Sequence, residues 1–342
     1  MPSDILNIEP YERSLIENCD FIISSENGNE AEYLSIKEDL EEIIYRHKRQ
    51  FELHDKNMLD INPASAASLK NSIIADKEWQ QILDRIINIE DKNINIEYDN
   101  IGQIFHIPWH NELIMMEKEQ HYDGQNLYFS GKLGHSYTTY LNRFLTNEGA
   151  KRAGINSIVI TEDNIILLGL RGGNSYSNVI FTMASGGLAY LGNKNPFIET
   201  IKKEHQEECH ITPEKIDTIE LIGRISDDAY SSPHYIARTK LKITYEHFIE
   251  EWEKASDKNE HKRIIALPND PEAIIEFDKE HKFDASKINI HNPALTSIEN
   301  YGKILPIASA SVLCHHAQNE GLDYIRKIGQ ELGPTYIFIN HN

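Results

Sequence analysis

The 342-residue sequence predicts an α/β fold, an α/β/α sandwich with a mixed sheet, preceded by a helical N-terminal extension. Three observations carry this expectation. Two apolar runs, 155–161 and 164–170, flank Glu162-Asp163 and read as a β-hairpin. From residue 178 to 280, strand-like and helix-like segments alternate. Over residues 1–95, apolar side chains recur mainly at helical spacing among many charges.

Taken in order, Ser35 to Phe51 carries Leu40, Ile43 and Ile44 in an amphipathic pattern. A second helical stretch runs from Ala64 to Ile89 and includes Trp79, Ile82 and Ile86, with Asp60-Ile61-Asn62-Pro63 as the turn before it. This extension carries no chemistry, and its expected role is packing on the main domain or a subunit contact. Residues 96–342 are read as that main domain. Its early β-like segments are 103–108 and 126–131, with a turn at 122–125. After the hairpin come a strand at 178–183, the turn Ala184-Ser185-Gly186-Gly187, a loop and an acidic helix. Strands follow at 219–224 and 234–241, then a helix from Thr244, its expected N-cap, to Ala255. A strand at 261–267 and a helix at 271–280 come next. Ala308 to Gly329 reads as a closing helix with Gly321 as its weak point.

Composition narrows the function classes. A hydrophobic fraction of 40% with 26% charged residues is that of a soluble globular protein. A net charge of −20 argues against a nucleic-acid surface, which needs a basic footprint. A small anionic substrate remains compatible if a metal and a few placed Arg or Lys offset the field locally. The three cysteines, Cys19, Cys209 and Cys314, are too scattered for a disulfide framework and fit a reducing compartment. No apolar h-region follows Met1 and no apolar run reaches the length of a membrane span. The expected location is therefore cytoplasmic, with no membrane partner; oligomeric state is not legible.

The chemistry concentrates in Lys203-Glu204-His205-Gln206-Glu207-Glu208-Cys209. Glu204, Glu207 and Glu208 stand at i, i+3 and i+4, so on a helix their carboxylates leave from one face. Crowded like charges destabilise a helix, and Lys203 offsets only part of that. A hard divalent cation, Mg²⁺ or Mn²⁺, would offset the rest. An isolated E-x-x-E-E is more often a solvated acidic face. Here a strand, a Gly-Gly turn and a loop precede it.

That order resembles the box of the Nudix hydrolases, G-x5-E-x7-R-E-U-x-E-E-x-G-U with U aliphatic. Gly187 matches the opening Gly, Lys203 stands at the Arg, Glu204, Glu207 and Glu208 match the acidic positions, and Ile211 matches the closing aliphatic. The box is degenerate. Asn193 replaces the first Glu, the spacing from Gly187 to Lys203 is two residues longer, His205 replaces an aliphatic and His210 replaces the Gly. Leu133-Gly134-His135-Ser136-Tyr137 and Phe144-Leu145-Thr146-Asn147 loosely resemble a segment of the UDP-sugar diphosphatases of that superfamily. Asp257-Lys258-Asn259-Glu260 resembles the acidic loop that many members hold near the metal.

The resemblance implies a pyrophosphohydrolase of a nucleoside diphosphate linked to another moiety, with Mg²⁺ or Mn²⁺ held by Glu204, Glu207 and Glu208. One of these, or Glu260, would act as base. Arg171 and Arg224 are candidates to meet substrate phosphate, the Gly186-Gly187 turn to admit it closely, and Tyr137 to stack on a base. An Arg opening a loop is usually only solvated, and clustered tyrosines are more often core. Two further readings stand beside the enzyme: a Nudix-fold protein that binds a nucleotide or partner without turnover, and an interaction protein whose acidic helix is merely solvated.

Overall fold

The computed structural model describes residues 6–16, 21–24, 30–53, 63–79, 81–82, 94–98, 103–106, 113–116, 121–122, 127–134, 151–172, 178–189, 195–227, 233–284, 300–329, 332 and 336–338. In chain order these form β1 (Leu6–Ile16), β2 (Phe21–Ser24), α1 (Glu30–Gln50), α2 (Pro63–Ile74), β3 (Ile94–Tyr98), β4 (Gln103–His106), β5 (Leu113–Met116), β6 (His121–Tyr122), β7 (Leu127–Gly134) and β8 (Lys151–Arg152). The second half forms β9 (Gly154–Ile160), β10 (Ile165–Arg171), β11 (Ile180–Thr182), β12 (Gly186–Gly187), α3 (Pro196–Cys209), β13 (Ile216–Asp227), β14 (His234–Leu241) and α4 (Tyr245–Trp252). It closes with β15 (His261–Pro268), α5 (Pro271–Glu280), α6 (Pro306–Glu320), α7 (Leu322–Gly329) and β16 (Tyr336–Phe338).

The expected mixed sheet is present. Nine described strands run β11-β10-β9-β14-β13-β1-β16, with β12 on β9 and β15 on β10. The β9–β14 and β1–β16 pairs are parallel and the others antiparallel. The hairpin read from sequence is β9–β10, with Val159 opposite Leu167.

Alternation along β9 builds the sandwich. Ile155 and Val159 enter the core under α3 and α4, while Ile158 and Ile160 enter the core under α5, α6 and α7. Helices thus cover both faces. The second face allows unusually close approach, because α6 opens with the small residues Ala308, Ser309, Ala310 and Ser311. Further along α6, a Cβ on Gly223 would lie 2.5 Å from the Cys314 sulfur and 2.7 Å from the Glu9 carbonyl.

Several boundaries differ from expectation, each for a local reason. The first ninety residues are not all helical, since β1 is an eleven-residue strand in the main sheet. Residue 95 therefore does not separate an extension from the domain. Pro10 obscures the strand, because it cannot donate to a ladder; a register shift follows it between Pro10 and Leu15. The closing helix is two helices parted at Gly321, whose φ of 94° ends α6. Thr244 makes no side-chain cap bond, and Tyr245 N–H is instead bound by the Asp163 carboxylate at 2.9 Å. A second sheet, β2-β4-β3-β7-β5-β8 with β6 on β7, contains the early β-like segments. No helix among the described residues is long and apolar enough to cross a membrane.

Candidate active site

The acidic helix begins on a built cap. Asn195 Oδ1 accepts from Phe197 N at 3.0 Å and Ile198 N at 3.2 Å, and Pro196 fills the first helical position. Phe197, Ile198 and Ile201 then anchor α3 to the sheet. The helix ends at His210, which adopts left-handed backbone at φ 55° and donates its N–H to His205 O. That conformation explains why a glycine suits the position.

The three glutamates do not share one environment. Glu208 is 3% exposed, and its Oε2 accepts from Ala184 N–H at 3.0 Å and from His261 Nε2 at 2.9 Å. Glu204 reaches the glycine turn: a Cβ on Gly186 would stand 2.5 Å from its Oε1. Glu204 and Glu208 are near enough for each to alter the other's ionisation. Burial and then the charge of Glu208 push Glu204 up to about 8. Burial and then the charge of Glu260 push Glu208 up to about 7. Glu207 stands apart from this pair, 41% exposed, with Lys203 Nζ 3.7 Å from its carboxylate.

Ala184 sits at φ 49°, a region that alanine rarely occupies. The backbone is thus strained at the residue whose amide meets Glu208, as at many functional sites. Across from the helix, Arg171 ends β10 with its guanidinium 3.5 Å from Glu260 and 5.4 Å from the Phe181 ring centre. Glu260 belongs to the short 3-10 turn Lys258–Glu260. That loop is clamped from two sides. Asp257 N–H donates to Glu207 O at 3.0 Å, and Gly172 N–H to Glu260 O at 2.6 Å. A Cβ on Gly172 would lie 1.8 Å from Asn259 O. Gly172→Ala is therefore expected to lower stability by about 1–3 kcal/mol in urea denaturation, by forcing the loop away.

The structure brings together Glu204, Glu208, Glu260, Arg171, Gly186 and Gly187. Arg224 is not in this group; its guanidinium is paired with Glu9 across β13 and β1. Tyr137, Tyr140 and Asn193 lie outside the described residues. Cys209 and Cys314 are buried, and burial pushes both thiols up, so neither suits a nucleophile. His315 and His316 lie buried in α6 on the opposite face.

Sequence reasoning gave no role to His261, because its partner is 53 positions away and no local spacing signals the pair. His205 is fully buried, and neither ring nitrogen has a hydrogen-bond partner among the described residues. Burial depresses its pKa to about 3. Since a buried polar ring without a partner destabilises, His205→Leu is expected to raise unfolding stability by about 1–3 kcal/mol. A urea midpoint at or below wild type would contradict this.

A divalent cation can be tested against the donors. Glu204 and Glu208 offer hard oxygens, and only a hydrogen side chain faces Glu204 at Gly186. Among the described residues, no three His, Cys, Asp or Glu side chains converge as a complete metal cage. Mg²⁺ does not require one, since it commonly binds through one or two carboxylates and completes its shell with substrate phosphate and water. The residues fit such a cation.

The fold and site define an α/β/α sandwich with a buried Glu208 and a half-buried Glu204 against a glycine turn. No protein-family model and no curated protein matches the chain. Among solved structures, DR0079 from Deinococcus radiodurans aligns at 10% identity and a TM-score of 0.29, over 50% of this chain and 90% of its own. Tm1382, described as a candidate Nudix hydrolase, aligns at 10% identity and a TM-score of 0.31, over 55% of this chain and 91% of its own. Likeness at that level carries no argument, and the functional reading rests on the chain's own residues.

Proposed function

We propose that this chain is a Nudix-type, metal-dependent hydrolase of a nucleoside diphosphate linked to another moiety, with UDP-sugars among the candidate substrates. One observation carries the reading: buried Glu208 and half-buried Glu204 meet beside the Gly186-Gly187 turn, with Glu260 and Arg171 nearby. Like charges in that position favour either a shared proton or a cation. When bound, Mg²⁺ or Mn²⁺ would neutralise the diphosphate and lower the pKa of an attacking water.

The protein's own groups divide the remaining work. Glu204 and Glu208 would hold the cation, with Glu208 oriented by Ala184 N–H. Glu260, 45% exposed, is placed to accept the proton of the water. Arg171 can exchange its 3.5 Å contact with Glu260 for a phosphate oxygen, to which a guanidinium donates two bonds. Gly186 and Gly187 let the backbone approach the diphosphate closely.

A second reading, nucleotide binding without turnover, is favoured by the outward Glu207, paired to Lys203 rather than turned to the other two acids. A panel of UDP-glucose, ADP-ribose and a dinucleoside polyphosphate, each with Mg²⁺ or Mn²⁺, separates the two. Turnover supports the hydrolase; a nucleotide-dependent rise in Tm without turnover supports the binder; neither response overturns both.

Protons and cations compete for the acid pair. A carboxyl whose folded pKa is raised stabilises the protein at low pH, and that contribution is lost as pH climbs from about 4.5 towards 8. Mn²⁺ is therefore expected to raise Tm more at pH 8 than at pH 6. Equal shifts at both values would separate cation binding from these glutamates.

A further inference from the structure

His261 has no part in the sequence motif, yet the sheet is shaped to deliver it to Glu208. The β10–β15 ladder pairs Gly169 with Ile264, Leu170 with Arg263 and then Arg171 with His261, so that Lys262 is the extra residue of a bulge. In unbroken register Lys262 would stand opposite Arg171, on the face covered by α3. The bulge puts His261 there instead, and Lys262 and Arg263 are both exposed. Room for the ring comes from Gly169, where a Cβ would lie 2.1 Å from His261 Nδ1.

Within this slot the imidazole is almost fully buried, and its Nδ1 has no hydrogen-bond partner among the described residues. Its Nε2 lies 2.9 Å from Glu208 Oε2. The tautomer that satisfies the carboxylate carries its proton on Nε2 and donates it. Ala184 N–H donates to the same oxygen at 3.0 Å. Two donors from two elements therefore engage one oxygen of Glu208, while Glu204 neighbours the same carboxyl group.

Resting on the proposed hydrolase reading, we propose that His261 is a positioning residue: together with Ala184 N–H it pins Oε2 of Glu208, so that Oε1 is presented beside Glu204 to a divalent cation. It touches neither cation nor substrate. The bulge at Lys262 and the side-chain-free slot at Gly169 are the structural devices that put it there. Partners that orient a metal-binding carboxylate typically change metal affinity by about 10- to 100-fold when removed.

The test is Mn²⁺ titration of the full chain, followed by electron paramagnetic resonance, on wild type, His261→Gln, His261→Leu and His261→Met. Gln keeps an N–H donor, whereas Leu and Met fill the slot without one. The expected result is a Kd for Mn²⁺ raised about tenfold or more in Leu and Met, and within about threefold of wild type in Gln. Whichever of Leu and Met retains the wild-type circular dichroism spectrum decides the comparison. If both unfold, rescue of folding and Mn²⁺ affinity by Gln upholds the role and an unaltered affinity loss in Gln overturns it. Wild-type affinity in a folded donor-free variant overturns the role of His261 while leaving the hydrolase reading intact. Failure of wild type itself to bind Mn²⁺ or Mg²⁺ overturns the metal-dependent reading and this inference with it.

Discussion

Glu208→Gln is expected to lower hydrolysis of the responsive nucleotide by at least about 100-fold while leaving the circular dichroism spectrum unchanged. The substitution keeps the side chain's size and an oxygen that can still accept from Ala184 N–H, now 3.0 Å away. It removes the negative charge that attracts the cation, an interaction that supplies several kcal/mol of transition-state stabilisation. Glu204→Gln is expected to behave alike, because its carboxyl is the other half of the acid pair. Glu207→Gln discriminates between the motif and the geometry: a carboxylate that is 41% exposed and paired to Lys203 contributes less than the two that converge. Full activity in Glu208→Gln would falsify the ligand assignment.

Acidification is expected to unfold this protein through its buried histidines. Burial holds His205 down to about 3, His316 to about 4, and His315, with the charge of His316 as a second cause, to about 2. An unfolded histidine titrates near 6.5. Between 6.5 and the folded value, each unfolded ring binds a proton that the folded one rejects, so stability falls as pH falls. The loss is roughly 1 kcal/mol per pH unit for each ring, and His261, held down to about 4, adds a fourth; the raised carboxyls of Glu204 and Glu208 act in the opposite sense, so the net loss is that of about two rings. Urea denaturation at pH 7.5, 6.5, 5.5 and 5 measures the slope. His205→Leu combined with His316→Leu should remove most of it; an unchanged slope would assign acid lability to other groups.

Legibility in the sequence followed the range of the interaction. The β9–β10 hairpin and α5 were readable because their signals are local: two apolar runs around a short turn, and a helix-like segment opening at Pro271. The acid motif was likewise readable as residues three and four apart. What could not be read is that these acids part company, Glu204 and Glu208 turning inward and Glu207 outward. That division depends on the turn at Ala184 and Gly186, some twenty positions upstream. His261 was invisible for a related reason, since a bulge in β15 and an absent side chain in β10 bring it to Glu208. The pairing of Arg224 could not be read because its partner, Glu9, lies 215 positions away on a strand that Pro10 disguised.

Glu207 holds its neighbouring segment through the main chain alone. Its carbonyl oxygen receives Asp257 N–H at 3.0 Å and the Ser256 hydroxyl at 3.2 Å, whereas its carboxylate reaches outward to Lys203. Scaffold and charge are thus uncoupled at one position. Any side chain tolerated by the helix can be installed there with the tether retained, so a graded series of substitutions would report local electrostatics without confounding collapse of the rim.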